Sequence, residues 1–442
     1  MRSTRRSTEL GLIVMAGLVI TATYTLLGLG RDASLPADVV PFLIQLYVLF
    51  GLAHVAVRRL APSADPLILP IAVLLNGLGY VFIARLDQDL AALQAQWTLL
   101  GIAAFVVTLL LVDRAAVLAR YRWTMAAAGL VLLLLPLLPG IGATVNGARL
   151  WIRVAGASIQ PGEFAKVAFA IFLAGYLAER REILELSDLR IGPLRLPDPR
   201  HLGPLLAAWG ASLLVMVFER DLGSSLLLFT VVMVVIWVAT GRLVFVIGGV
   251  SLFAVGAFVS WSAFSHVQER IDTWLDPWSD PLDSGFQLLQ ATFSLAEGGL
   301  TGTGPGLGDP TRIPAAETDF IFAVIAEELG LMGATAILVG FLLMIGSGYR
   351  IAVRAERPFD SLLATGLTTI IAFQSFLILG GVLRVVPLTG ITLPFVSYGG
   401  SSLIANYILI ALLLRISNDV EGGHRTPPWR PFRRFRREKS PA

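Results

Sequence analysis

The chain contains no cysteine, which removes disulfide frameworks, thiol nucleophiles and thiolate metal sites at once. Its four histidines, His54, His201, His266 and His424, show no ligand spacing. Charge is scarce as well. Asp, Glu, Lys and Arg make up 15% of the 442 residues while 55% are hydrophobic, whereas a soluble protein carries about 25% charged residues. There is no GxxxxGK[ST] loop and no dinucleotide fingerprint after a strand. No internal repeat is visible, which speaks against an inverted-repeat transporter. What is left is a polytopic membrane protein with no nucleotide chemistry of its own.

The apolar windows place spans near residues 10–30, 39–57, 66–84, 95–112, 123–139, 163–179, 203–219, 222–240, 243–261, 319–346, 361–383 and 399–416. The expected fold is therefore all-α, with about twelve transmembrane helices. The first run is too long for a signal-peptide core and lacks a small-x-small cleavage site, so it reads as a retained helix. With a cytoplasmic N-terminus, 24 of the 34 Lys and Arg residues fall on the inside, including Arg58, Arg59, Arg114, Arg120, Arg122, Arg242, Arg350, Arg354, Arg357 and the tail. Eight fall outside. Both termini are thus expected in the cytoplasm and the long polar loop outside. The basic tail reads as a solvated, lipid-attracted end and not as a nucleic-acid site.

That loop, from about Trp261 to Asp319, is too long for a connector and too rich in Trp, Phe and Leu to be disordered. It contains a glycine-rich run from Gly298 to Gly308, readable as a flexible turn or as backbone approaching a phosphate. It ends in Glu317-Thr318-Asp319-Phe320. A helix of about 28 residues opening at Asp319 would be about 42 Å long, longer than the roughly 30 Å hydrocarbon core. Asp319 would then lie at lipid-headgroup height, ionised by the helix N-terminus, as an N-cap, a base or a cation ligand. Glu327 falls broadly on its face of the helix and Glu328 on the other, with at least one expected to meet a buried partner.

Charges inside spans cost roughly 2.5–3.5 kcal/mol each on insertion scales and call for a reason. Lys166 follows Glu163 by one turn: either a self-neutralising pair or a cation presented to an anionic substrate. Arg220-Asp221-Leu222-Gly223-Ser224-Ser225 is a short outer turn in which Asp221 is a good N-cap, or with Arg220 part of a phosphate or cation site. Arg384 with Pro387, Thr389, Gly390, Thr392 and Pro394 interrupts an apolar region, and such backbone must be buried or line a cavity.

Five stretches resemble the bacterial shape, elongation, division and sporulation family (RodA, FtsW and SpoVE): Asn146-Gly147-Ala148-Arg149-Leu150-Trp151-Ile152, Gln160-Pro161-Gly162-Glu163-Phe164-Ala165-Lys166, Asp221-Leu222-Gly223-Ser224-Ser225, Thr318-Asp319-Phe320-Ile321-Phe322-Ala323 with Glu327-Glu328-Leu329-Gly330, and Leu393-Pro394-Phe395-Val396-Ser397-Tyr398-Gly399-Gly400-Ser401-Ser402. The resemblance implies a ten-helix glycosyltransferase core at 66–417, two added N-terminal helices in 1–65 as in some RodA-like members, an extracellular loop at 262–318 and a basic cytoplasmic tail at 418–442. It implies polymerisation of lipid II on the outer face of the cytoplasmic membrane for cell elongation and shape, alongside a class B penicillin-binding protein. The family's essential loop aspartate corresponds to Asp319, and its conserved lysine, loop aspartate and loop arginine to Lys166, Asp221 and Arg270.

On this reading Asp319 is the general base. Lys166, Arg270, Arg153, Arg220, Glu163 and Arg149 contact the lipid-linked substrates, and Asp221 is the candidate ligand for a divalent cation such as Mg2+ or Mn2+. Leu150 stands where the family commonly has arginine, and Pro314-Ala315-Ala316-Glu317-Thr318-Asp319 departs from its usual Pro-Glu-Ala-His-Thr-Asp. The same charged cavity would also serve a lipid II flippase, and a membrane scaffold for the penicillin-binding protein is the third reading.

Overall fold

The computed structural model describes residues 2–32, 39–145, 148–154, 157–186, 188–191, 194–197, 199–219 and 221–422. Lipid offers backbone groups no partners, so an apolar chain must satisfy them within helices, and every expected span is helical. They are α1 (Arg2–Asp32), α2 (Val39–Leu60), α3 (Ile68–Leu86), α4 (Gln88–Leu111), α5 (Arg122–Leu134), α6 (Pro161–Leu186), α7 (Pro199–Phe218), α8 (Leu222–Thr240) and α9 (Leu243–Ala263), then α12 (Ile321–Arg354), α13 (Pro358–Val382) and α14 (Gly400–Glu421). Eleven are long and apolar enough to cross a membrane, α5 together with its flanking 3-10 turns. The twelfth, α7, contributes the shorter apolar stretch Leu206–Val215.

Helices α3, α6, α13 and α14 form the centre of the bundle, whereas α5 and α9 turn most of their surface outward. The main packing pairs are α4 with α14, α5 with α6, α12 with α13, α1 with α3, and α13 with both α6 and α8. Helices α2 and α4 are both tied to α14 by polar contacts of one arginine. Arg415 of α14 donates from Nη1 to the carbonyl of Leu60 at 2.7 Å and from Nη2 to that of Leu109. A cation thereby meets the carbonyl-rich ends of two helices, where it is electrostatically favoured.

Two small β elements supplement the all-α expectation. Strands β1 (Gly142–Val145), β2 (Ala148–Val154) and β3 (Ala157–Ile159) form an antiparallel meander leading into α6. Strands β4 (Asp188–Ile191) and β5 (Leu194–Pro197) form a hairpin between α6 and α7.

The long loop is structured. It carries α10 (Ser265–Leu275) and α11 (Phe286–Gly298), and its glycine-rich run packs against α12. Thr303 N–H donates to Glu327 O at 2.9 Å and Gly304 N–H to Glu328 O at 3.2 Å. In return Leu331 N–H donates to Gly299 O at 3.0 Å and Met332 N–H to Leu300 O at 3.3 Å. These bonds span a break in α12 at Gly330, whose φ of 65° and ψ of −167° are not helical. The single helix expected from Asp319 onward is therefore two pieces: Ile321 to Leu329, held by the loop, and the longer membrane segment beyond Gly330.

Candidate active site

The sequence-marked groups gather at one end of the bundle, where α6, α8, α12 and α14 begin and α3, α7 and α13 end. The segment between α13 and α14 winds through that end. Trp274 of α10 donates its indole N–H to Arg384 O at 3.0 Å, and Arg384 Nη2 donates back to Trp274 O at 3.1 Å. Further along, Gly390 packs beside Asp319 and Arg270, and Thr389 and Ile391 press on Gly223 at the start of α8. Thr392 and Ser397 then meet the groups that hold Lys166 and Asp319 respectively.

Asp319 lies half-buried in the turn ahead of α12, two residues before the first helical one. The turn is pinned from below: Ser397 Oγ donates to Thr318 O at 2.5 Å and Tyr398 N–H to Glu317 O at 2.8 Å. The N-cap expectation is corrected here, since Phe320 holds the N-cap position of α12 and no side chain caps it. Burial pushes the Asp319 carboxyl up to about 6, against the lowering pull of a Thr318 hydrogen bond and the Arg270 charge. Removal from water outweighs both, because neither group replaces the hydration that the carboxylate loses.

Arg270 projects from α10 and donates Nη1 to Leu388 O at 3.3 Å. A Cβ on Gly390 would stand 3.9 Å from both Arg270 Nη2 and Asp319 Oδ2, so the two charges come to the same point of the backbone. Lys166 and Glu163 are deep in the same end, 3% and 5% exposed. Lys166 Nζ donates to Glu163 Oε1 at 2.8 Å and to Gln374 Oε1 at 3.1 Å. Gln374 in turn donates Nε2 to Thr392 O at 2.8 Å, and Thr392 Oγ1 lies 2.9 Å from Ser402 Oγ. A lattice of neutral polar groups thus orients the lysine, and sequence reasoning singled out neither Gln374 nor Ser402 for that task.

Asp221 caps α8, its Oδ1 accepting Ser224 N–H at 2.9 Å. Burial raises its pKa, with Lys166 and Glu163 near enough to pull in opposite directions. For the expected divalent cation Asp221 could offer only its remaining carboxylate oxygen, beside substrate phosphates. One carboxylate oxygen is used in the cap, and among the described residues no three His, Cys, Asp or Glu groups come together to hold an ion. Of the expected substrate arginines, Arg149 turns away: its Nη2 donates to Leu138 O at 3.0 Å and fastens β2 to the preceding turn. Arg153 is exposed on β2 opposite Ser158. Arg220 and residues 423–442 of the tail lie outside the described residues, as do Asn146 and Gly147 of the first motif.

The phosphate-cradle reading of the glycine-rich run is also corrected. Several of its amides are already engaged by α12, and Glu328 Oε2 accepts Gly306 N–H at 2.9 Å while Glu327 Oε1 accepts Asp309 N–H at 2.7 Å. Both glutamates are buried and both face the loop.

The family model for the cell cycle proteins FtsW, RodA and SpoVE matches residues 67–422. Across 99% of its length the chain is 45% identical to the peptidoglycan glycosyltransferase RodA of Mycobacterium tuberculosis, covering 94% of that protein. It is 43% identical to the RodA of Mycobacterium leprae, covering 96% of this chain and 93% of that one. Among solved structures, a chain from work on polymerization and crosslinking by a peptidoglycan synthase complex superposes with a TM-score of 0.66 at 27% identity, over 81% of this chain and 98% of that chain. A variant of the rod shape determining protein RodA of Thermus thermophilus superposes with a TM-score of 0.57 at 26% identity, with the same coverage.

Proposed function

The chain belongs to the FtsW, RodA and SpoVE family of cell cycle proteins, and from that premise we infer how it works as a peptidoglycan glycosyltransferase. It is an enzyme of the membrane that polymerises lipid II into glycan strands for cell elongation and shape. The observation that supports the mechanism is the meeting of the half-buried Asp319 with Arg270 beside Gly390, with Lys166 and its polar lattice at the same end of the bundle.

The 4-hydroxyl oxygen of one lipid-linked disaccharide attacks the anomeric carbon of a lipid-linked glycan. The new C–O bond forms as the bond from that carbon to the pyrophosphate breaks, and polyprenyl pyrophosphate departs with the electron pair. Asp319 accepts the hydroxyl proton. Lifted to about 6, it is still ionised at neutral pH yet more basic than an ordinary aspartate, which suits a general base. Arg270 and Lys166 stabilise the charge developing on the leaving pyrophosphate. Glu163 and Gln374 hold the lysine in place, and Arg153, exposed on β2, meets the outlying phosphates or sugars. The pyrophosphate ester already activates the sugar, so no nucleotide is needed, and no step is routed through a protein-held metal ion.

The site end faces outward in this reading. The basic residues Arg58, Arg59, Arg114, Arg120, Arg122, Arg242, Arg350 and Arg354 cluster at the opposite end, which the positive-inside rule assigns to the cytoplasm with both termini. A class B penicillin-binding protein is the natural crosslinking partner, since the product strands emerge where such an enzyme works. The test is purified protein in liposomes supplied with labelled lipid II. Asp319→Asn is expected to slow glycan-ladder formation by about 10²–10⁴-fold. Ladders formed at the wild-type rate would remove Asp319 from the mechanism, and unpolymerised lipid changing leaflets would favour transport instead.

A further inference from the structure

Arg85, in the last turn of α3, lies outside every motif used so far, yet it closes the assembly around the break in α12. Its Nε stands 3.3 Å from Glu328 Oε1. Its Nη2 donates to Gly308 O at 3.1 Å and more distantly to Gly306 O at 3.4 Å. The loop is pressed from the other side by the end of α1: a Cβ on Gly30 would collide with Pro305 O, and one on Gly306 with Leu27 O. Gly306 has a φ of 79°, so only a glycine makes this close turn at low cost.

We infer that Arg85 and the end of α1 form a brace that sets the position of Asp319, with Arg85 a positioning residue for glycosyl transfer and not a catalytic one. The inference rests on Asp319 as the base. The brace holds the chain on both sides of that aspartate. Upstream, Asp309 N–H is bound by Glu327, and Ile313 and Ala316 are buried between there and Asp319. Downstream, Glu327 and Glu328 sit on the short piece of α12 that Asp319 precedes. Eight residues of helix are only about 12 Å long, so a tilt at Glu328 is felt at the carboxylate. Misplacement by about 1 Å can cost 10²-fold in rate. The helix pair that precedes the family-matched region thereby acquires a task in catalysis.

Arg85→Gln, Gly30→Leu and the double variant Arg85→Gln/Glu328→Gln test this in the full-length protein. Hydrogen exchange of the amides in 299–309 reads the brace itself and is expected to speed up in all three variants. Polymerisation is expected to show kcat lowered about tenfold or more, with KM for lipid II changed less than twofold. The acid limb of the pH profile, set by Asp319 with Arg270 and Glu317 facing it, is expected to move below its wild-type position as the carboxyl gains water. Unchanged exchange would overturn the brace. Faster exchange with unchanged kcat and pH profile would overturn the positioning role, as would full recovery in the double variant, since that would reduce Arg85 to neutralising Glu328. Asp319→Asn in the same assay tests the base separately, and its failure to slow the reaction would leave the exchange result standing.

Discussion

Arg270 and Asp319 meet beside Gly390, whose Cβ position lies 3.9 Å from Arg270 Nη2 and from Asp319 Oδ2. The backbone there has a φ of 69°, and Arg270 is fastened two residues earlier to Leu388 O. Glycine is thus favoured for conformation, while a Cβ would make only ordinary contact with the two charged groups. Gly390→Ala should cost about 1 kcal/mol of stability through the left-handed backbone and leave most of the activity. Gly390→Leu should carry the same strain but press a larger side chain on Arg270 and Asp319, lowering kcat more than tenfold. Thermal unfolding beside ladder formation separates the two effects, and equal activity in both variants would mean that substrate does not approach beside Gly390.

The raised Asp319 fixes the sign of two pH effects. A base must be ionised, so polymerisation should fall as pH drops through about 6 and not through the usual aspartate range near 4. Stability runs the other way. In the unfolded chain the carboxyl ionises near 3.8, in the folded chain near 6, so the folded state favours the protonated form and loses that contribution as pH rises through 6. Asp319→Asn should therefore unfold at a higher temperature than the wild type at pH 8, by no more than about 3 kcal/mol in stability. The difference should vanish as pH falls below 3.8. A variant less stable at pH 8 would contradict the desolvation on which the base argument depends.

Arg384 and Trp274 exchange hydrogen bonds through one indole, one guanidinium and two backbone carbonyls, and Arg384 does so at a φ of 58°. Arg384→Gly relieves the backbone while deleting the guanidinium. The two changes should nearly offset in stability, within about 1 kcal/mol. Activity should still fall severalfold, because α10 is the element that carries Arg270. Activity unchanged with a normal unfolding temperature would detach α10 from the reaction.

Much of this arrangement was legible in the sequence because a bilayer leaves an apolar chain few choices. The helices α3, α8 and α13 begin and end within a few residues of the apolar runs, and the charges that interrupt them, Lys166 and Asp319, mark one end. What was illegible is carried by neutral groups and by backbone. Gln374 and Ser402 interrupt an apolar run at little cost, so they give weak signals beside a lysine. The break at Gly330 depends on amides arriving from Gly299 and Leu300, which no local pattern reveals. Alternation at Leu150 and Ile152 after Asn146-Gly147 was available as a hairpin signal. Arg149, in the same motif, is aimed by β2 at its own preceding turn, an orientation the motif alone does not reveal.

Lys166 is open to a sharper test than simple replacement. Its ammonium and the Glu163 carboxylate are almost wholly buried and 2.8 Å apart. Lys166→Met alone leaves a buried carboxylate unpaired, and such a break typically costs 3–5 kcal/mol, so loss of activity in that variant would say little. Replacing both partners, Glu163→Met with Lys166→Met, removes the two desolvation costs together and should restore stability to within about 1 kcal/mol of the wild type. If the pair serves only to neutralise itself, the folded double variant will polymerise lipid II. If the lysine meets the leaving pyrophosphate, the double variant will be well folded and inactive, its kcat down by 10²-fold or more. The second outcome is expected, because Gln374 and Thr392 would not be needed to aim an ammonium whose whole task was to cancel Glu163.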